Sequence, residues 1–314
     1  MPRSRPLENP FDLDDDAAYR RWRDNKLHDY PANAADLIVD IGDLAGPTEA
    51  ERADIIGRCR RANMAIYASR QAGRGEQGTR RDLAVFAGLF GLHQPESHRS
   101  AAGDGIVALE VADDDKRRGY IPYTNRALTW HTDGYYNGPE NAVRSFLLHC
   151  VREAGEGGEN SLLDPEIAYI RLRDENPDFV AALMRADAMI IPENREPAGK
   201  VRAVSRGPVF SIDPVTRSLH MRYSARGRNI IWRKDHDTCA AVGFLTDLLA
   251  GDEPLTMKHK LTPGQGMICN NVLHSRSGFD AGRTSAQTGG RLLFRMRYPN
   301  RIAGTGGMAT ANQS

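Results

Sequence analysis

The segment Trp130-His131-Thr132-Asp133-Gly134 puts an imidazole and a carboxylate two positions apart. In an extended strand, residues i and i+2 point to the same face, so both side chains can reach one ion. A lone His-x-Asp triplet arises by chance in many sequences, and a satisfied core or surface pair explains it equally well. Its weight comes from a second segment, Met267-Ile268-Cys269-Asn270-Asn271-Val272-Leu273-His274, which reads as a strand ending in histidine. The long interval between the two is enough to bring the chain around a double sheet to the same place. Two imidazoles and one carboxylate on one face of an octahedral ion leave three positions open, which suits non-haem iron(II) and oxygen activation. Zinc prefers a closed or nearly closed tetrahedron.

A third segment, Gly290-Arg291-Leu292-Leu293-Phe294-Arg295-Met296-Arg297, alternates. Arg291, Leu293, Arg295 and Arg297 share one face, and Leu292, Phe294 and Met296 the other. A bound dicarboxylate accounts for at least one of these arginines, because a planar guanidinium clamps a carboxylate with two parallel hydrogen bonds. For Arg297 a solvated edge strand is the simpler reading. Tyr120, Tyr123 and Asn125 precede the His-Thr-Asp segment, and Tyr135, Tyr136 and Asn137 follow it. These rings either line a pocket mouth, where they can cage a quaternary ammonium, or pack a wall, which is the commoner role. Arg222, Arg226 and Arg228 read as a solvated strand end in preference to a carboxylate site. His28, His93, His98, His220, His236 and His259 lack partners at ligand spacing, and so does His149, although it lies on a strand soon after the metal pair.

The elements that must position these groups are mostly short strands. They are expected at Ile106–Val111, Ser145–Val151, Ser161–Leu163, Ala188–Ile191, Val209–Ile212, Leu219–Tyr223, Leu255–Leu261, Gly266–Asn270 and Leu292–Tyr298, separated by Gly, Pro, Asp or Asn. Helices are expected over Thr48–Ser69 behind a Thr48-to-Glu51 capping box, over Arg80–Gly91, and as inserts over Glu166–Ala186 and His236–Leu249. The expected fold is mainly β with helical additions, a sandwich or jelly roll. Residues 1–47 read as an arm over the core, 48–302 as a single domain and 303–314 as a flexible tail.

The 314 residues carry 42 Lys and Arg against 41 Asp and Glu, a net charge of +1. No global field gathers nucleic acid or an anionic membrane, which leaves a small molecule as the expected partner. A homo-oligomer is compatible with this composition. The four cysteines, Cys59, Cys150, Cys239 and Cys269, form no CxxC pair and read as small buried residues of a reducing compartment. The N-terminus lacks the apolar stretch of a secretory signal, and no run long enough to cross a bilayer appears, so a cytoplasmic location is expected.

Taken in order, His-Thr-Asp at 131–133, the distant Asn-Asn-Val-Leu-His-Ser-Arg ending at Arg276, and Arg-Leu-Leu-Phe-Arg at 291–295 resemble the taurine dioxygenase and clavaminate synthase-like family of 2-oxoglutarate oxygenases, over roughly residues 48–300. The resemblance implies a double-stranded β-helix core of cupin-like, jelly-roll type. It implies iron(II) held by His131, Asp133 and His274, and the far carboxylate of 2-oxoglutarate held by Arg291. Arg295 matches a second family arginine near the co-substrate or substrate. The implied reaction consumes O2, releases succinate and CO2, and hydroxylates or desaturates a small molecule. Halogenation is not expected, because Asp133 vacates no ligand position. Two departures stand out. The family's Gly-Gly-acid-Thr element is Gly157-Gly158-Glu159-Asn160 here, with Asn160 as donor in place of the threonine and Ser161 next to it. The stretch from His274 to Arg291 is longer than usual and holds Arg283, Ser285 and Gln287, which makes Arg283 the alternative to Arg291. The rival readings are a non-catalytic cupin-like metal-binding protein or sensor, and a zinc hydrolase, for which no general-base Glu is placed.

Overall fold

A threonine begins the first long helix, and an asparagine ends it. Thr48 and Glu51 form the reciprocal capping box, and the helix Glu49–Ala62 stops where Asn63 turns left-handed, at φ 57°. The chain then runs straight into the strand Met64–Ser69, so the helix expected to reach Ser69 is two elements. The structure, a computed structural model, describes residues 9–70, 74–96, 103–111, 120–195, 201–227, 230–280 and 290–306.

Two sheets define the middle of the molecule. The larger has six strands in the order Ile38–Ile41, Met64–Ser69, Gln265–Cys269, Ser145–Arg152, Leu292–Tyr298 and Val107–Leu109. The smaller has four, Met257–His259, Asn160–Leu163, Leu273–Arg276 and Leu128–His131. Phe146, Leu148, Cys150, Met267 and Leu293 of the first pack against Leu162 and Met257 of the second and against Val272, just before its third strand. The outer face of the large sheet carries Leu147, Phe294, Met296 and Tyr298, covered by Ile55 and Cys59 of the first long helix and by Leu83 and Phe86 of the helix Gly75–Leu89. A third cluster gathers the helices Pro165–Glu175, Pro177–Leu183 and His236–Ala250 around Phe210 and Tyr223.

Helix and strand are mixed here, where a mainly β chain was expected. The helix expected over Glu166–Ala186 is two, because Asn176 leaves helical geometry, caps Asp178 and is followed by Pro177. The segment before residue 48, expected only to cover the core, contributes to it. Ile38–Ile41 pairs in parallel with Met64–Ser69, the intervening helix making the crossover that parallel pairing requires. Phe11 and Tyr19 pack edge-on against Tyr169, at ring-centroid distances of 5.4 and 6.4 Å. The helix Asp16–His28 is tied down by an ion cluster: Lys26 Nζ lies 2.7 Å from Asp164 Oδ2 and also pairs with Glu166. Burial opposes the Lys26 charge, but the two carboxylates outweigh it and raise its pKa. At the other end, Thr305 is buried and its hydroxyl accepts from Asn270 Nδ2 at 3.0 Å, so the chain is docked past residue 303. Residues 307–314 lie outside the described residues. Among the described residues no helix is long and apolar enough to cross a membrane.

Candidate metal centre and substrate cavity

His131 is the last residue of its strand, and His274 lies directly opposite it in antiparallel register. Directly opposed residues share a sheet face, so the rings meet, with centroids 4.2 Å apart. His274 does not end the strand that begins near Met267, as the sequence suggested. That strand closes at Cys269 in the large sheet, Asn271 turns left-handed at φ 52°, and His274 belongs to a new strand in the small sheet. Asp133 is likewise beyond the strand, in a turn opened by Gly134 at φ 68°, where a Cβ would lie 2.4 Å from Val143 Cγ2. Ligand atoms of His131, Asp133 and His274 all lie within 4.8 Å of one another, and all three residues are buried.

Asn271, which the sequence reading passed over, joins the two turns. Its Oδ1 accepts from the Asp133 N–H at 2.8 Å, and its Nδ2 donates to the carbonyls of Asp133 and Val143 at 2.9 and 2.6 Å. The signal was the tandem Asn270-Asn271 between two apolar runs, a turn signature rather than part of a strand.

Local hydrogen bonds set the tautomers. Each Nδ1 lies 2.9 Å from a carbonyl two residues back, Thr129 for His131 and Val272 for His274. A carbonyl only accepts, so Nδ1 carries the proton and Nε2 keeps its lone pair. Burial, reinforced by His274, pushes the His131 pKa down to about 3, and burial lowers that of His274, so both rings are neutral at physiological pH. Burial alone would raise Asp133, but the guanidinium groups of Arg295 and Arg297 outweigh it and hold the carboxyl ionised. Arg295 Nη1 donates to Asp133 Oδ1 at 3.1 Å, while Asp133 Oδ2 is buried with no hydrogen-bond partner. Two neutral imidazoles and an orphaned carboxylate oxygen facing one point are the donor set a divalent cation requires.

The arginine strand is central, not an edge. Arg297, expected to be solvated, is buried, with Nη2 2.7 Å from Glu96 Oε2 and Nη1 donating to the Tyr136 hydroxyl at 2.9 Å. Arg291 sits apart from the candidate ligands, 5.0 Å from the centre of the Phe279 ring, with Arg276 4.8 Å from the same ring. Burial lowers the Arg291 pKa to about 10, which leaves it charged at neutral pH. Arg291, Asn160, Lys260 and Gly158 enclose a crevice of about 10 Å³. Asn160 faces into the space between the sheets, its Nδ2 donating to the His259 carbonyl at 3.5 Å. Arg283, Ser285 and Gln287 lie outside the described residues.

Other residues singled out in the sequence have structural places. Arg222 is buried and donates to the carbonyls of Tyr135, Met189, Gly207 and Ser205, so it is no solvated strand end. His149 faces the opposite side of its sheet from the candidate ligands, with Nδ1 3.1 Å from the Tyr67 hydroxyl. His28, His93 and His236 are exposed, and His259 Nε2 contacts Gln265 Oε1. Cys59, Cys150 and Cys269 are buried as expected, whereas Cys239 is exposed on its helix. Arg228 and His98 lie outside the described residues. The tyrosines flanking the His-Thr-Asp segment do reach the site: a cavity of about 170 Å³ is lined by His131, Asp133, Tyr120, Tyr123, Tyr135 and Tyr136.

A mixed fold with a buried two-histidine, one-carboxylate centre between its sheets marks the class of non-haem metal oxygenases. The model of the taurine catabolism dioxygenase TauD, TfdA family matches residues 74–297, and the chain belongs to that family. A uridine-5'-phosphate dioxygenase from Amycolatopsis is 27% identical over 173 residues, 50% of this chain and 57% of the relative. A trimethyllysine dioxygenase from Meyerozyma guilliermondii is 25% identical over 171 residues, 51% of this chain and 41% of the relative. The matches thus span less than two thirds of either relative. The crystal structure of a taurine dioxygenase from Burkholderia xenovorans superposes with a TM-score of 0.55 at 16% identity, over 86% of this chain and 89% of that one, a likeness of fold.

Proposed function

We propose that this chain is an iron(II)- and 2-oxoglutarate-dependent dioxygenase that hydroxylates or desaturates a small molecule. Iron(II), held by His131, Asp133 and His274, supplies the oxidising chemistry when bound together with 2-oxoglutarate and O2, with release of succinate and CO2. The observation that carries the reading is the orphaned Asp133 Oδ2 beside two imidazoles whose Nδ1 protons are already spent on backbone carbonyls. Arg295 keeps the Asp133 carboxylate charged and aimed. Arg291, assisted by Asn160, takes the far carboxylate of 2-oxoglutarate, and the burial of both favours a charged partner there. That carboxylate requires the small crevice beside Arg291 to open. The two facing sheets, with both histidines on the smaller one, support a double-stranded β-helix core within residues 48–302. Unpaired thiols support a reducing, cytoplasmic setting. The relatives' substrates, as their names give them, carry opposite charges, so kinship leaves the charge of this substrate open.

Oxygen consumption with iron(II), ascorbate and 2-oxoglutarate tests the reading. Consumption with stoichiometric succinate is expected, and Asp133→Ala abolishes it. Tight metal binding without any 2-oxoglutarate turnover marks a metal-binding sensor instead. Full succinate and product formation by Asp133→Ala removes the metal assignment.

A further inference from the structure

The cavity over the metal ligands continues outward into a second one of about 500 Å³, and the two share Tyr120, Tyr135, Tyr136, Asn194, Arg202 and Arg226. Together they have the volume of a small-metabolite site. Four guanidinium groups line them, and two already have acidic partners. Arg295 is answered by Asp133 and Arg297 by Glu96. Arg202 has no carboxylate partner among the described residues: one nitrogen donates to the Pro192 carbonyl at 3.5 Å, and its Nε is buried with no partner at all. No hydrogen bond or ion pair among the described residues engages the Arg226 guanidinium. Glu193, the acidic residue of the outer cavity, has a partner of its own. The excess is therefore positive, in a partly enclosed space where a charge-assisted hydrogen bond is strong.

The Tyr136 ring argues against the opposite reading. A cage for a quaternary ammonium needs free ring faces. The Tyr136 ring already carries Arg202 at 5.4 Å and Arg297 at 6.0 Å from its centre, and Tyr135 packs edge-on against it at 5.3 Å. A further cation there meets guanidinium groups.

Resting on the function proposed above, we infer that the substrate is an anion with a flat body. Its phosphate, sulfonate or carboxylate is held by Arg202 and Arg226, and its body lies along Tyr120 and Tyr135 toward the metal ligands. Arg202 belongs to the hairpin formed by Asn194–Arg195 and Val201–Arg202, and Arg226 follows the bridge from Ser224 to His131, so the anion is gripped from two separate segments.

Calorimetric titration of the iron(II)- and 2-oxoglutarate-loaded protein without oxygen tests this, with metal-free protein alongside. The probes are phenyl phosphate, benzenesulfonate and benzoate, with benzyl alcohol as the neutral arm and benzyltrimethylammonium as the cationic arm. At least one anion binds about tenfold or more tighter than the neutral and cationic arms. Arg202→Gln and Arg226→Gln each weaken it about tenfold to hundredfold, the loss of a hydrogen bond to a charged group. Arg226→Lys retains most of the affinity, which separates loss of charge from loss of fold. Equal or tighter binding of the cation overturns the inference, as does anion binding insensitive to both glutamine variants or no binding by any of the three anions. Arginine-dependent anion binding without succinate release sustains it while removing the dioxygenase reading. Succinate release stimulated by the cation alone does the reverse.

Discussion

Replacing Gly157 by alanine disturbs the crevice proposed for the co-substrate while leaving the candidate metal ligands in place. Gly157 sits at φ +70°, which costs an L-residue about 1–2 kcal/mol. Its new Cβ would lie 2.2 Å from the Gly278 carbonyl oxygen and 3.0 Å from Phe279 Cα, about 1 Å or more short of a normal contact with that oxygen. Both neighbours are backbone, so the bridge between Gly157 and Phe279 must open. Opening strains the bonds from Gly158 N–H to Gly278 O at 3.2 Å and from Asp280 N–H to Glu156 O at 3.1 Å, each worth about 1 kcal/mol. The local cost is on the order of 2–4 kcal/mol. It falls on Phe279, the ring against which Arg276 and Arg291 rest. Titration of the metal-loaded variant with 2-oxoglutarate should give an affinity about tenfold or more weaker, the equivalent of about 1.4 kcal/mol. Equilibrium dialysis should show metal affinity within about threefold of wild type, since His131 and Asp133 lie on another segment and His274, four residues before Gly278, is held in register by a strand on either side. Unchanged 2-oxoglutarate affinity refutes the placement of its carboxylate beside Arg291, and a parallel collapse of metal affinity refutes the separation of the two subsites.

Three further outcomes follow from the same geometry. Asn271→Ala removes all three hydrogen bonds joining the ligand-bearing turns and should lower metal affinity about tenfold to hundredfold in dialysis; retention of wild-type affinity shows that the turns hold without it. Lys26→Met leaves the buried Asp164 and the partly buried Glu166 without their shared cation, and denaturant unfolding should report a loss of about 3–5 kcal/mol, against less than about 1 kcal/mol if the pair is effectively solvated. Burial pushes His149 down to about 4 from its ordinary 6.5, so between these values the unfolded chain binds the proton that the folded chain refuses. The contribution of His149 is therefore full above about pH 6.5 and falls by about 3 kcal/mol toward pH 4, and His149→Gln should make that part of the profile less steep; an identical slope in the variant assigns the loss to the other buried histidines.

Local pattern was sufficient to single out His131, Asp133 and His274 as candidate ligands, for the two faces of Leu292–Tyr298 and for the capped start of the helix at Glu49, because residue type, spacing and strand alternation act within a few residues. It failed wherever the deciding neighbour was distant in the chain. Alternation gives the faces of the arginine strand but not what lies on either side of it, so Arg297 read as solvated, whereas Ser145–Arg152 pairs with it on one side and the Glu96 N–H donates to its carbonyl. Asn63 and Asn271 are polar residues inside apolar runs, and only their left-handed geometry shows that each divides one expected element into two. The meeting of the two histidines depends on strands that come together through antiparallel register between sequence-distant segments, and no short-range periodicity carries that register.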